Sequence, residues 1–471
     1  MAASLNKLSN RLYRPFLQHL ERRLLCCATS STNSSGSNIL SLEERGLFHD
    51  VIPAKSSLFL SKHLNSAPQC IYCGFDPTAD SLHIGNLLTL LTLIRCQRAG
   101  HQVIALIGGA TALIGDPSGK TTERPALTLP EVESNVKRLE DSLHRVFTNH
   151  ERYFWKKQKE LPRYRILNNY DWYKDVNLVS FLSSAGRHFR MHKLLSRESV
   201  QARLSSPEGM SFQEFSYQIF QAYDFYHLHQ KYHCLLQIGG SDQLGNLSTG
   251  HDFVKRVTGK DVYAITIPLI TNSQGEKLGK TAGNAVWISA DRTSPFELYQ
   301  TFVRLQDADV EKYLKAFTFL SLPEIDAVLK NHKANPKKRS AQKLIAEQVV
   351  LLVHGENGLD QALRLTEALY NSGPSTLEAL SPMELDSLFE GALTHEALLE
   401  PGTTVLDLVE MVQCIPSGQN AEKLISEGGL YVNQVRVANP QAVLKKGEHI
   451  LKNGITLIRV GKKKYFIVKW I

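Results

Sequence analysis

Tyr72-Cys73-Gly74-Phe75-Asp76-Pro77-Thr78-Ala79-Asp80-Ser81-Leu82-His83-Ile84-Gly85-Asn86 reads as a short apolar strand, a tight turn, and the start of a helix. The helix runs on through Leu87-Leu88-Thr89-Leu90-Leu91 and stops at Gly100. Its free N–H groups and the positive end of its dipole then face whatever lies beyond the strand end, which makes an anion site. Gly85 lacks the Cβ that would hold a ligand away from the backbone, and His83 adds a donor in the first turn. Alone, these residues fit a surface cap and a packing glycine better than a ligand site, so the rest of the chain has to decide.

A second apolar run, His101 to Ile107, is followed by Gly108-Gly109 and suits a strand buried on both faces of a parallel sheet. Strand, helix and strand make one right-handed crossover. The loop Ala110 to Arg124 is rich in turn residues and carries Lys120 and Arg124, at the end of the sheet where ligands bind. Residues 126 to 210 read as mostly helical, an insertion or an interface. Ser211 to Tyr232 reads as a helix with Tyr217, Gln221 and Asp224 at i, i+4 and i+7, on one face. The helix is crowded with aromatics, so these polar groups need partners, and a ligand is one candidate.

Cys234 to Ile238 is a further buried strand, opening into Gly239-Gly240-Ser241-Asp242-Gln243-Leu244-Gly245-Asn246, where the glycines allow close approach and Asp242 suits ribose hydroxyls. Val262 to Ile267 is another strand. Glu276 to Asn284 then sets Lys277 and Lys280 three residues apart among glycines, a cationic loop able to close on a polyphosphate. Residues 294 to 373 read as helical and 374 to 402 as looser. The end of the chain suggests two short helices and small strands.

The chain has 471 residues, 42% hydrophobic and 21% charged, which is globular usage with room for several domains. No apolar run approaches the roughly 20 residues that span a bilayer. The net charge of +8 is uneven. Residues 1 to 40 carry +4 and alternate basic with apolar residues before a Ser/Thr/Asn-rich stretch, the composition of a mitochondrial transit peptide. Residues 403 to 471 carry +5 and read as a compact basic segment. The seven cysteines are scattered, and Cys70 and Cys73 read as packing thiols within a strand.

His83-Ile84-Gly85-Asn86, Gly239 to Asn246 and Lys277 to Thr281, in this order and spacing, resemble the signatures of the class I tyrosyl-tRNA synthetases, mitochondrial type, from about residue 45 onward. The resemblance implies an α/β chain: a leader over 1–44, a Rossmann-like parallel-sheet catalytic domain over 45–290 with a helical insertion at about 126–210, a helical anticodon-binding domain over 291–373, a linker over 374–402 and an S4-like RNA-binding domain over 403–471. It places Tyr72 and Asp224 on the phenolic hydroxyl of tyrosine. Asp116, Tyr217 and Gln221 surround the ammonium group, with Thr111 lining the pocket and Gln243 near the carboxylate. Asp76, Gly239, Gly240 and Asp242 position the nucleotide, with Gly85 and Asn86. Thr78, His83, Lys120, Arg124, Lys277, Lys280 and Thr281 hold or close over the phosphates. Asn86 stands where the wider class I pattern has a second His, and Gly279 and Thr281 where it has Ser.

The implied chemistry is ligation of tyrosine to tRNA(Tyr) by way of an adenylate, with ATP and Mg2+ and no tightly bound cofactor or resident metal. The implied partners are tyrosine, ATP, tRNA and a second copy of the chain, without a membrane, in the mitochondrial matrix. Lys445, Lys446, Lys452, Lys462, Lys463 and Lys464 are the candidate RNA-phosphate contacts. Three other readings share parts of the pattern: a tryptophan enzyme of the same architecture, a nucleotidyltransferase with a His-x-Gly signature, and an RNA-binding protein that has lost catalysis. Tyr72 with Asp224, the basic tail and the complete polar set, respectively, count against them.

Overall fold

The computed structural model describes residues 40–120, 122–156, 159–271, 273, 280–281, 284–370, 377–378, 380, 384, 393–415, 420–461 and 464–471. The expectations for residues 1–39, Lys277, Lys462 and Lys463 lie outside these, as do the side chains of Lys280, Thr281 and Lys464. There are two compact units, one of residues up to 292 with 302–353, the other of 293–301 with 354–471.

The first unit is built on a six-stranded sheet: β1 (Val51–Ile52), β2 (Cys70–Phe75), β3 (Gln102–Ile107), β4 (Tyr164–Asn168), β5 (Cys234–Gly240) and β6 (Tyr263–Ile267), in the order β1-β6-β5-β2-β3-β4. All neighbours are parallel except β1 with β6. Central β2 pairs Tyr72 with Ile104 of β3 on one side and Gln237 of β5 on the other. The chain thus leaves β2 in both directions, and the crevice beyond the strand ends at that reversal is where such sheets bind ligands. Cys70, Cys73 and Cys234 are buried free thiols in the strands. Apart from this sheet, β7 (Lys280–Thr281) and β8 (Asn284–Ala285) pair antiparallel.

Helix α1 (Ile84–Arg98) follows β2 and ends at Ala99, before Gly100 at φ +99. A short helix α2 (Gly109–Ile114) follows β3. Helix α3 (Leu129–Asn149) starts from a capping box between Thr128 and Glu131 and buries Val132, Leu139, Leu143, Val146 and Phe147, one helical face. The stretch from 126 to 210 is therefore not purely an insertion. Its Tyr164-Arg165-Ile166-Leu167-Asn168 is β4, parallel to β3 at the sheet edge, with four of its five residues half-buried, so its sequence never becomes the apolar run of a central strand.

Beyond β4 come α4 (Tyr170–Tyr173), α5 (Glu198–Leu204) and the long α6 (Phe212–Tyr232), capped by Ser211, whose hydroxyl accepts the Glu214 N–H. Arg203 of α5 and Glu214 of α6 form a fully buried bidentate pair at 2.8 and 2.9 Å. Arg203→Met is expected to destabilise by about 3–5 kcal/mol, because a buried carboxylate is left alone. Arg203→Met with Glu214→Leu should recover most of the loss in thermal melts; no recovery would mean the cost is one of packing.

The expected domain limits shift in three places. Residues 40–44, expected within the leader, are a helical turn with Leu42 buried. The helical stretch 291–373 is divided, since helix Ser340–Tyr370 is broken at Gly355, whose φ of 71° and ψ of −168° are not helical, and the unit boundary falls there. The stretch 374–402 is more than a linker: Leu377 and Leu380 are core residues, and Leu393–Ala397 is a strand, β9.

In the second unit β9 joins β10 (Leu430–Val432), β11 (Val435–Val437), β12 (Ile455–Val460) and β13 (Lys464–Trp470), ordered β11-β10-β12-β13-β9. Only β9, pairing with β13, runs parallel to its neighbour. Asn433 and Gln434, at φ 48° and 69°, make the two-residue turn of the β10–β11 hairpin. Helices Val405–Val412 and Ala421–Ser426 bury Val405, Leu408, Val409 and Ile425 with Leu430, Val432 and Ile458. Among the described residues no helix is long and apolar enough to cross a membrane.

Candidate active site

A cleft with an empty volume of about 580 Å³ opens at the carboxyl ends of β2, β3 and β5. Its walls come from Tyr72 of β2 and Asp76 just after it, Gly108 after β3, Gln237 and Gly239 of β5, and Tyr217, Gln221 and Asp224 of α6, with Thr111, Asn169 and Gln243. The helix spacing thus delivers three polar groups to one face, and the parallel strands deliver their ends to the same point.

Asp224 is the buried acid at one end. Its Oδ2 accepts from Asn169 Nδ2 at 3.0 Å, and its Oδ1 accepts from Trp172 Nε1 at 3.0 Å and the Tyr173 hydroxyl at 2.9 Å. Burial pushes its carboxyl up to about 7, against the pull of these three donors. The Tyr72 hydroxyl is buried in the same wall with no hydrogen-bond partner among the described residues, and burial together with the charge of Asp224 pushes it well above the usual phenol range. Such an orphan in a cleft calls for a ligand atom.

The other end holds Asp76. Its Oδ1 accepts from the Thr111 hydroxyl and its Oδ2 from the Tyr217 hydroxyl, both at 2.7 Å, and burial raises it to about 6. Gln221 and Gln237 each carry a buried Oε1 without a partner among the described residues. Asp116 lies one bond further out: its Oδ2 accepts from Gln243 Nε2 at 2.7 Å, its Oδ1 from Asn246 Nδ2 at 3.2 Å and the Ser118 N–H at 3.0 Å. The structure therefore seats Asp76, assigned by resemblance to the nucleotide, in the wall beside Tyr217 and Gln221, while Asp116 reaches the wall through Gln243.

The helix terminus has its own logic. His83 is the N-cap of α1: its Nδ1 accepts the Asn86 N–H at 3.2 Å, and Asn86 Oδ1 accepts the His83 N–H at 3.1 Å. With Nδ1 accepting, the ring proton sits on Nε2, a donor. A Cβ on Gly85 would fall 2.8 Å from His83 Cε1, so the glycine makes room for the imidazole folded over the first turn. The Ile84 N–H donates to the Val286 carbonyl, tying this turn to the chain just after β8.

Of the remaining candidates, Arg124 Nε donates to the Asp116 carbonyl at 2.8 Å, and Thr78 and Lys120 are exposed. Exposed Asp242 lies over its own turn, where a Cβ on Gly240 would be 2.4 Å from its Oδ1. Sequence reasoning missed Asn169, Trp172, Tyr173, Gly108 and Gln237. The only signal for the first three was two amides and a run of aromatics after Tyr164-Arg165-Ile166-Leu167, a stretch too short and too mixed to declare itself as a strand. Lys445, Lys446 and Lys452 are exposed, the first paired with Glu448 and the last with Glu378.

Residues 64–371 match the family of tRNA synthetases class I (W and Y), and residues 384–468 the tyrosine–tRNA ligase SYY-like C-terminal domain. The chain is 51% identical over 445 residues to the mitochondrial tyrosine–tRNA ligase of Drosophila melanogaster, covering 94% of this chain and 96% of the fly protein. It is 50% identical over 454 residues to the mitochondrial tyrosine–tRNA ligase of Homo sapiens, covering 95% of each. Among solved structures it resembles a C-terminally truncated Aspergillus nidulans mitochondrial tyrosyl-tRNA synthetase, with a TM-score of 0.66 and 33% identity over 72% of this chain and 95% of that one.

Proposed function

The chain belongs to the class I tyrosyl-tRNA synthetases, mitochondrial type, and from that premise we propose how its residues share the work. It is a tyrosine–tRNA ligase: ATP and tyrosine give tyrosyl-adenylate and pyrophosphate, and the tyrosyl group passes to tRNA. The tryptophan reading falls away on the relatives' identity along nearly the whole chain.

The substrate's phenol lies between Tyr72 and Asp224, accepting from the first and donating to the second. The observation that carries this assignment is the orphaned Tyr72 hydroxyl, buried in the same cleft wall as an acid that already holds three donors. The ammonium group meets the acidic end, Asp76 and Asp116 with Tyr217 and Gln221, and Thr111 and Gln243 complete the wall. The tyrosine carboxylate then attacks the α-phosphorus of ATP: the new O–P bond forms as the bond to the β-phosphate bridge breaks, and pyrophosphate leaves. The carboxylate is already ionised, so the protein supplies position and charge rather than a nucleophile. His83 donates through Nε2, the first turn of α1 at Gly85 and Asn86 adds the positive end of the helix dipole, and Lys120, Arg124, Lys277, Lys280, Thr281 and Thr78 hold the phosphates. Gly239, Gly240 and Asp242 take the ribose. Mg2+ arrives on the ATP phosphates. In the second step a terminal ribose hydroxyl of tRNA attacks the tyrosyl carbonyl and AMP leaves.

Around this centre we place the helical region and the C-terminal sheet on tRNA, with Lys445, Lys446, Lys452, Lys462, Lys463 and Lys464 on phosphates, and the protein in the mitochondrial matrix. Leu178, Val179 and Leu182 are exposed on one short helix, and Met191 and Phe212 are exposed as well, apolar side chains of the kind that a second copy covers, which supports a homodimer.

The test is amino-acid-dependent exchange of labelled pyrophosphate into ATP with tyrosine, phenylalanine and tryptophan offered separately. Exchange with tyrosine alone is the expected result. Equal exchange with phenylalanine would overturn the role of Tyr72 and Asp224, and exchange with tryptophan the substrate.

A further inference from the structure

We propose that Tyr173 is a positioning residue for substrate selection, its hydroxyl holding the Asp224 carboxylate charged and aimed for the substrate's phenol. The proposal rests on the assignment of Asp224 to that phenol.

A carboxylate offers about four acceptor sites. On Asp224, Oδ1 takes Trp172 Nε1 and the Tyr173 hydroxyl, and Oδ2 takes Asn169 Nδ2, which leaves one site, on Oδ2. Asn169 cannot turn its amide, because its Oδ1 already accepts the Ala110 N–H at 2.7 Å. Indole and amide nitrogens only donate. Of the three bonded groups, Tyr173 alone can donate or accept, and its single proton has two acceptors, Asp224 Oδ1 at 2.9 Å and the Phe220 carbonyl at 2.8 Å. With Asp224 ionised the proton serves the carboxylate. With Asp224 protonated it turns to Phe220, and the Tyr173 oxygen accepts from the acid. The acid proton then settles on Oδ1, away from the substrate, and the charge that binds the phenol is gone.

Among the described residues the titratable groups facing Asp224 are Tyr72, Asp76, Tyr173, Tyr217 and Tyr223, with His227 stacked on Trp172 at 4.3 Å between ring centroids and pushed by burial towards its neutral form, so none is a cation. Neutral donors therefore hold its charge, against the charge of Asp76. Removing one donor raises the Asp224 pKa and moves the loss of tyrosine binding to higher pH. The Tyr173 ring packs on Phe220 and Tyr223, with centroids 5.0 and 5.7 Å apart, so Phe at this position keeps the packing and removes only the hydroxyl.

The experiment is the pH profile of kcat/KM for tyrosine in pyrophosphate exchange, together with the tyrosine-to-phenylalanine ratio, for the full chain. In Tyr173→Phe the acid limb should move up by about one pH unit and the ratio fall about tenfold, the loss of one hydrogen bond to a charged group, while kcat at saturating tyrosine is kept. Placing 3-fluorotyrosine at 173, a stronger donor of the same shape, should move the limb down, which no packing role can do and which decides the matter if the Phe variant does not fold. A limb that stays in place in both variants overturns the proposal. Asp224→Asn separates the two ideas: if it collapses the ratio while Tyr173→Phe changes nothing, the phenol assignment stands and the role of Tyr173 falls. If Asp224→Asn also leaves the ratio intact, the assignment itself falls.

Discussion

Asp224→Asn is expected to cut kcat/KM for tyrosine in pyrophosphate exchange by about 10²- to 10⁴-fold and to change phenylalanine little. The loss has two parts. The substrate's phenol loses a bond to a charged acceptor, about 1.5–3 kcal/mol, and a buried donor is left without a partner, about 1–3 kcal/mol. The second part follows from the shell around the acid. Asn169, Trp172 and Tyr173 all point donors at it, so the NH2 group introduced by the substitution must face either the Asn169 amide or the indole N–H. Rejection of phenylalanine by unpaired polar groups is the behaviour for which tyrosyl-tRNA synthetases are themselves the usual example. A tyrosine-to-phenylalanine ratio within about threefold of the parent would place the selectivity elsewhere.

How much of this site could be read from the chain depends on where each residue's partners lie. Tyr217, Gln221 and Asp224 were legible because a helix repeats its face every three or four residues, and the aromatics between them ruled out a solvated face. His83 to Asn86 was legible as a helix start, though the reason for Gly85, the imidazole folded above it, appears only in three dimensions. The apolar runs of β2, β3, β5 and β6 declared a parallel sheet. β4 did not declare itself, since an edge strand of five residues has no continuous apolar signature, and with it went Asn169, Trp172 and Tyr173, which reach Asp224 from more than fifty positions away. β9 was hidden for a related reason. Leu393-Thr394-His395-Glu396-Ala397 carries little strand propensity and is held in place by β13, some seventy residues later. The order of the two acids was equally a matter of tertiary contact: no spacing distinguishes Asp76, in the wall, from Asp116, behind Gln243.

The other large effect should come from a residue that has no side chain. A Cβ at Gly108 would stand 1.9 Å from Asp76 Oδ1 and 2.3 Å from Thr111 Oγ1. Its backbone, at φ −83° and ψ 57°, is open to alanine, so the conflict falls on the neighbours. The backbone cannot retreat either: the Gly108 N–H donates to the Phe75 carbonyl at 2.9 Å, and its carbonyl accepts the Ala112 N–H at 2.8 Å. The carboxylate of Asp76 has to move, and it gives up Thr111, Tyr217 or both. Gly108→Ala is therefore expected to weaken tyrosine binding by about 10²- to 10³-fold, the scale of losing one partner of a buried charged contact, in a protein that still melts cooperatively. Equilibrium binding of tyrosine measures the first quantity and a thermal melt the second. Because the clash falls on Asp76 and on Thr111, whose hydroxyl itself donates to Asp76, it should not add to the loss of the Asp76 charge: Gly108→Ala with Asp76→Asn should bind tyrosine about as weakly as the worse single variant. Additive losses would show that alanine disturbs the cleft by a route other than Asp76, and an unaltered affinity that the carboxylate has room the geometry does not grant it.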